Sequence, residues 1–267
     1  RRPRDTRVAS RVALGSGAIT FFTRRLRSAG SAARAVGEKA YLKSDLRFWG
    51  TSQDSIRAAV REYGDAHPNL TRADLRAIAE TLYATDVHEL RAAAIGVLER
   101  ESETLDDRDS PWLIGLVRKS KSWAYVDWIA PKVIGDVIAR DLRARKRLAI
   151  WAKDTNFWVR RAALLAEHDA LRAGGGDFVL WSRMAASMLD EREFFIRKAI
   201  GWVLREVSKK RPELTYAFLR KHRERVSRLS LLEGAKYLPA AKRKALGLPG
   251  EAAWVAREAK RNAVGRR

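Results

Sequence analysis

The feature that most constrains this chain is an apolar spacing of three and four residues, recurring between evenly placed start and stop signals. Ile56, Ala59 and Val60 follow Ser52; Leu75, Ile78 and Leu82 follow Thr71-Arg-Ala-Asp74; Val87, Leu90, Ala93, Ala94 and Val97 follow Asp86. Side chains three and four apart share one face of an α-helix, and a Ser, Thr or Asp just before such a run can satisfy the unpaired N–H groups of the first turn. Thr71 with Asp74 has the form of a capping box. Breaks recur as regularly, at Gly50, Gly64, Pro68, Pro111, Pro131, Gly174-Gly175-Gly176, Pro212 and Pro239. Val, Ile and Thr nowhere build a sustained alternation, whereas the helix formers Ala, Leu, Arg and Glu dominate. The spacing predicts an all-α chain of short-linked helices, each roughly 10–17 residues long.

The helices are expected in pairs: 52–66 with 71–84, 86–100 with 110–120, 123–142 with 146–154, 157–172 with 177–189, and 191–207 with 212–226. A two-helix unit of about 40 residues is the period of HEAT-like repeats. The expected architecture is therefore HEAT-like repeats stacked into a curved solenoid with a basic concave face, and a plain helical bundle is the competing one. Sequence identity between the pairs is low, so the spacing alone carries the repeat.

Charge narrows the partners. The net charge is +22, unevenly spread: residues 1–30 hold eight Arg and one acid, residues 208–267 are at +12, and residues 31–207 are at only +3. We divide the chain into a basic lead-in with a first helix (1–30), a repeat domain (31–246) and a basic tail (247–267). A field of this sign attracts polyanions such as DNA, RNA or an anionic membrane. Basic ends that serve only solubility, or an arginine-rich genome (39 Arg against 15 Lys), are the plainer explanation. No cysteine is present, which excludes disulfides, thiolate nucleophiles and cysteine–metal sites. His67, His88, His168 and His222 never fall three or four apart, so no histidine metal centre, and no cofactor, is expected. No run reaches the roughly 18 apolar residues of a membrane span. Residues 1–30 are Arg- and Ser-rich like a transit peptide, but the apolar spacing at Ile19, Phe21, Phe22 and Leu26 favours a helical first element after a ragged lead-in. Secretion is not expected, since no apolar stretch precedes a small-residue cleavage site.

Three segments combine aromatic and polar residues. In Lys121-Ser-Trp-Ala-Tyr-Val-Asp-Trp128, Trp123 and Asp127 are four apart and share a helix face, while Val126, Ile129 and Ala130 fall off it. Asn156-Phe-Trp-Val-Arg-Arg-Ala-Ala163 opens a helix with adjacent arginines, one of which must point away from the apolar face of Ala162, Leu165 and Ala166. In Glu193-Phe-Phe-Ile-Arg-Lys-Ala-Ile-Gly-Trp-Val-Leu-Arg-Glu206, Gly201 in mid-helix costs about 1 kcal/mol against Ala. That cost points to the close approach of another backbone or a ligand beside Trp202. Taken singly, each has a plain explanation: helix tryptophans mostly pack in cores, and charged neighbours mostly face solvent.

Together the segments resemble something specific. SWAYVDWIAPKVIGD (122–136), NFWVRRAALL (156–165) and EFFIRKAIGWVLRE (193–206), in this order and spacing, resemble the AlkD-type DNA glycosylases, the HEAT-like-repeat alkylpurine excision enzymes. A weaker likeness lies at Tyr41-Leu-Lys-Ser with Phe48-Trp-Gly, and the resemblance spans Tyr41 to about Lys244. It implies Asp127 as the catalytic carboxylate, Trp123 and Trp202 as flanking aromatics, and Arg161 as the phosphate-side arginine. Tyr41 is implied near the DNA backbone, and Lys198 is expected to contact DNA as well. The family often has a second Trp beside the first and Asp-Ser before Val-Asp, where this chain has Ala124-Tyr125. The Trp123–Asp127 pair is untouched by that departure, so activity is expected to survive it, with an effect on which lesions fit.

The chemistry accounts for those residue types. An N3- or N7-alkylated purine is cationic and leaves as a neutral base, so no general acid is required. What needs stabilising is an oxocarbenium-like sugar, which one carboxylate can oppose while it holds the attacking water. Indole faces add attraction for the cationic lesion, and an arginine on a phosphate positions the sugar. No lysine stands out as a Schiff-base nucleophile, so a monofunctional enzyme is expected. The resemblance implies that the lesion stays largely stacked rather than flipped into a deep pocket. The expected partner is double-stranded DNA containing alkylated purines, met by a monomer in a bacterial cytoplasm. Two other readings stand beside this: a non-catalytic repeat protein binding branched or damaged DNA, and a protein scaffold, which the basic ends disfavour.

Overall fold

Helices persist where their apolar faces are covered; Ser52, Thr71, Ser122, Asn156, Asp177 and Glu193 add side-chain caps, while the helices that begin at His88, Ser110 and Pro212 have none. The computed structural model describes residues 3–250 and 253–256, and the chain divides into two compact units, residues 1–147 and 148–267. Among the described residues there is no β-strand, only an isolated bridge between Arg47 and Val87.

The first unit holds α1 (Pro3–Ser28), α2 (Ala32–Leu42), α3 (Gln53–Ala66), α4 (Arg72–Tyr83), α5 (His88–Arg100), α6 (Ser110–Lys119), α7 (Trp123–Ile129) and α8 (Gly135–Arg140). Ser52 caps α3, and Thr71 with Asp74 forms the expected reciprocal box on α4. Asp86 does not cap α5. Its carboxylate is taken by Arg47 at 2.7 and 2.8 Å, and Val87 occupies the cap position without a side-chain bond. α5 is buried from Glu89 to Leu98 except at Arg91, because α3, α4 and α7 all pack on it. Its Ala92-Ala-Ala94 and Gly96 allow that close approach. Each large aliphatic side chain buried here contributes about 1.5–3 kcal/mol, against about 1 kcal/mol for a cap, so packing on α5 stabilises this unit more than capping does. α1 starts earlier than a ragged lead-in allows, at Pro3, and buries Ala18, Phe22 and Leu26 against α3, α4 and α5.

Glu89 ties the loop after α2 to this core. Its fully buried Oε1 accepts from the backbone N–H groups of Trp49, Gly50 and Thr51 at 2.9, 2.7 and 3.3 Å. Gly50 turns at φ +72°, and a Cβ there would stand 2.1 Å from the Ser31 carbonyl oxygen. No side chain fits.

The chain passes into the second unit within α9 (Leu142–Trp151). There follow α10 (Phe157–Leu165), α11 (His168–Ala173), α12 (Phe178–Ser187), α13 (Phe194–Ser208), α14 (Pro212–Lys221), α15 (Arg228–Gly234) and α16 (Ala240–Ala245). α13 is the hub, packed by α10, α11, α14 and α15 over Ile196, Ile200, Val203, Leu204 and Val207. The expected single helix over 157–172 is two, α10 and α11. α2, α15 and α16 lie outside the expected pairs. Of the basic tail, residues 251–252 and 257–267 lie outside the described residues, while Trp254 is buried with the Arg243 guanidinium 5.0 Å from its ring centroid.

Candidate functional site

The expected site residues fall in both units. Tyr41, Trp123 and Asp127 belong to the first, and Arg161, Lys198 and Trp202 to the second.

In the first unit, Lys121 takes a left-handed conformation (φ +50°). Ser122 then caps α7, its hydroxyl accepting from the Ala124 N–H at 3.3 Å. A non-glycine residue in this region costs of order 1–3 kcal/mol and persists only where its surroundings enforce it. Here the enforcement comes from the inner face of α7. Tyr125, Val126, Trp128 and Ile129 are buried, as is Ala130 beyond them, while Trp123, Ala124 and Asp127 are half-buried on the other face. The Tyr125 hydroxyl lies 2.7 Å from His88 Nδ1, and the His88 ring stacks on Phe48 at 4.5 Å. Burial lowers His88 from 6.5 to about 4, so it is a neutral imidazole near pH 7, suited to accept from that hydroxyl. At the far end, Trp128 Nε1 donates to Glu99 at 2.6 Å, and Arg57 both pairs with Glu99 at 2.9 Å and lies 4.8 Å over the Trp128 ring. α7 is thus held at both ends, and its outer face carries Trp123 and Asp127 one turn apart.

Tyr41 meets that face. It stands at the end of α2, just before the left-handed Lys43, and is 73% exposed. Its ring is edge-on to the Trp123 indole, centroids 5.6 Å apart at 89°. Pro131 neither ends nor sharply breaks the helix. Proline has no N–H to give the Asp127 carbonyl and would crowd it in an α-helix, and the chain answers with a wider π-turn over Ala130–Ile134, in which Gly135 N–H bonds the Ala130 carbonyl, before α8. Such turns recur at functional sites. Tyr125 faces inward, so its departure from the family pattern is a change in packing. The half of that dipeptide on the outer face is the half-buried Ala124.

In the second unit, Asn156 caps α10 with a 2.8 Å bond from the Trp158 N–H. The two arginines diverge, as expected. Arg160 is closed by a bidentate pair with Glu191 at 2.7 and 2.9 Å. Arg161, however, is not on the surface. It is 2% exposed, its guanidinium donates to the Phe195 carbonyl, and it lies 5.7 Å from the Phe195 ring centroid. Trp202 is half-buried on α13, with the His168 ring 4.6 Å away. His168 bonds Asp169 through Nδ1 at 2.9 Å, and its buried Nε2 has no hydrogen-bond partner. Lys198 is partly exposed, but its ammonium pairs with buried Glu233 at 3.1 Å. Gly201 is explained by a backbone, not a ligand: a Cβ there would lie 2.7 Å from Glu233 Cβ and 3.0 Å from Ser230 Cα on α15.

Trp128, Trp151, Trp158, Trp181 and Trp254 are buried, and Trp49, Trp112, Trp123 and Trp202 keep some exposure. Both indoles singled out by sequence are therefore outside the core set. Reasoning from sequence missed His88, Glu89, Glu206 and Glu233. Glu206 offered a signal, sitting one residue from Arg205 and three from Lys209; Glu89 offered none.

The family profile described as DNA alkylation repair enzyme matches residues 22–238, and the chain belongs to that family of DNA repair proteins. Among solved structures, the chain is similar to one described as a predicted DNA alkylation repair enzyme from Enterococcus faecalis. That match is 24% identical, with a TM-score of 0.70, over 78% of this chain and 96% of that one. It is also similar to AlkD2 from Streptococcus mutans, 19% identical with a TM-score of 0.55, over 79% of this chain and all of that one. A third likeness is to smu.31 from Streptococcus mutans UA159, 20% identical with a TM-score of 0.54, over 70% and 94%. At these identities the likeness is one of fold. No curated protein matches the chain. No helix among the described residues is long and apolar enough to cross a membrane, and no group of three or more His, Cys, Asp or Glu there is placed to hold a metal ion.

Proposed function

We propose that this chain is a monofunctional DNA glycosylase that hydrolyses the N-glycosidic bond of cationic N3- and N7-alkylated purines in duplex DNA. The observation that carries the reading is the outer face of α7, where Asp127 lies one turn from Trp123 and Tyr41 stands against that indole. The lesion is already cationic, so its base leaves neutral and no acid is needed. As the bond breaks, positive charge moves onto the deoxyribose. A carboxylate held beside C1′ opposes that charge and orients the water that adds to it. Asp127 supplies it, on a helix clamped through Tyr125 and Trp128. Trp123 offers an electron-rich face to the sugar and the cationic base, and the family resemblance gives Trp202 the same role. Tyr41 and Lys198 contact the DNA backbone. Arg161, being buried, serves in this reading as a fixed charge under the start of α13.

The test is mass spectrometry of bases released from methylated duplex DNA. Wild type is expected to free 7-methylguanine or 3-methyladenine. Asp127→Asn should lose on the order of 100-fold or more in rate while still binding the duplex. Release unchanged in that variant would sink the assignment. Tight binding of branched DNA with no base released from any alkylated substrate would instead identify a non-catalytic DNA-binding protein.

A further inference from the structure

The outward face of α13 carries more than the proposed reaction uses at Lys198 and Trp202. Phe194, Lys198, Trp202, Arg205 and Lys209 lie within an arc of about 80° at 3.6 residues per turn, over about 22 Å of helix. Two buried carboxylates stand beneath this stripe. Glu206 takes Lys209 at 2.6 Å, Arg205 at 3.0 Å and Arg172 at 3.8 Å; Glu233 takes Lys198 at 3.1 Å and a short bond from Arg205. Neutralising buried acids explains part of this gathering. It does not explain its size or its outermost member.

The outermost member is Tyr237. It ends the one-turn 3₁₀ segment Ala235–Tyr237 that packs on α13, and it is 49% exposed. Lys209 Nζ and Lys236 Nζ lie 5.1 and 5.7 Å from its centroid. Arg172, Lys198, Arg205 and Lys209 thus gather around two acids, and Lys236 stands beside them at the Tyr237 ring. The acids are 5% and 2% exposed, whereas Arg172 and Lys209 side chains are 61% and 41% exposed. The charge that solvent meets is therefore cationic. A ring with two ammonium groups beside it suits a phosphodiester, which takes the cations on its oxygens while its sugar edge lies against the aromatic ring.

We propose that Tyr237, Lys209 and Lys236 form a phosphate-binding station for the backbone of duplex DNA, independent of any lesion and about two helical turns along α13 from Trp202. The inference rests on DNA as the ligand but not on catalysis. It is tested by fluorescence anisotropy of an undamaged duplex across a salt series, with single-turnover base release at saturating protein measured alongside. The Lys209→Gln/Lys236→Gln double variant is expected to bind about tenfold more weakly at low salt. Its slope of log K against log salt should fall by about 1, near 0.9 for the one phosphate no longer neutralised. Its release rate at saturation should match wild type. Should the double variant melt early, Lys236→Gln alone keeps the Lys198, Arg205 and Lys209 pairs of Glu206 and Glu233 and must lower both affinity and slope, by less than the double variant. A wild-type slope and affinity in these variants overturns the station, as does a wild type that binds no duplex. Absence of base release by wild type would end the glycosylase reading and leave the slopes to decide this one.

Discussion

The Tyr125 hydroxyl and His88 Nδ1, 2.7 Å apart, join the helix that carries Trp123 and Asp127 to the start of α5, the central helix of the first unit. Burial holds His88 neutral by lowering it to about 4 from 6.5. The unfolded chain therefore takes up this proton first as the medium is acidified. The contribution to stability is complete above about pH 6.5 and is lost as pH falls toward about 4, up to on the order of 3 kcal/mol. Thermal melts between pH 7.5 and 4.5 should show that loss. His88→Gln should melt lower at pH 7.5 but lose less between pH 6.5 and 5. Parallel curves for the two proteins would refute a neutral buried His88.

Glu89 makes a second, separable prediction. Its Oε1 accepts from the N–H groups of Trp49, Gly50 and Thr51, in the loop that joins α2, the helix of Tyr41, to α3. Glu89→Gln keeps the oxygen and removes the charge, turning charge-assisted bonds into ordinary ones at a cost of about 1–2 kcal/mol. A lowering of Tm by about 2–8 °C is expected. An unchanged Tm would show that the carboxylate charge is not what holds the loop.

What was legible in the sequence follows from how local each determinant is. Capping at Ser52 and Thr71 and the apolar period of α4 and α13 are set by residues within one or two turns, and these elements stand where expected. The shared face of Trp123 and Asp127 is equally local. Asp86 failed as a cap because Arg47, 39 residues away in the chain, claims its carboxylate. Pro131 reads as a stop or kink within the expected 123–142 helix, and the packing of Val126, Ile129, Val133 and Ile134 carries the helix past it in a π-turn. Arg161 reads as a surface cation in a double arginine, and contacts distant in sequence, the Phe195 carbonyl 34 residues on among them, hold it inside.

Gly201 sets helix propensity against packing. In an exposed helix, Gly→Ala gains about 1 kcal/mol. Here the added Cβ would stand 2.7 Å from Glu233 Cβ and 3.0 Å from Ser230 Cα, and α15 would have to move. Overpacking of that kind costs about 1–3 kcal/mol, so Gly201→Ala should be neutral to destabilising and Gly201→Val clearly destabilising. Displacing Glu233 also disturbs Lys198 and Arg205, which pair with it. A raised Tm for Gly201→Ala in thermal unfolding would show that α13 and α15 do not approach so closely.

Trp202 separates attraction to a cationic lesion from binding of DNA at large. Its indole is half-buried beside His168, and no hydrogen bond of its ring is needed for the role proposed. A cation over an indole face is worth about 0.5–2 kcal/mol, or roughly 2- to 30-fold in rate where the contact tightens in the transition state. Trp202→Phe should therefore slow release of 7-methylguanine within that range, and Trp202→Ala should slow it further. Both should bind an undamaged duplex about as well as wild type, because phosphate contacts dominate that affinity. Measured side by side, single-turnover release and anisotropy resolve the two effects. Equal losses in both would place Trp202 in general DNA binding rather than at the lesion.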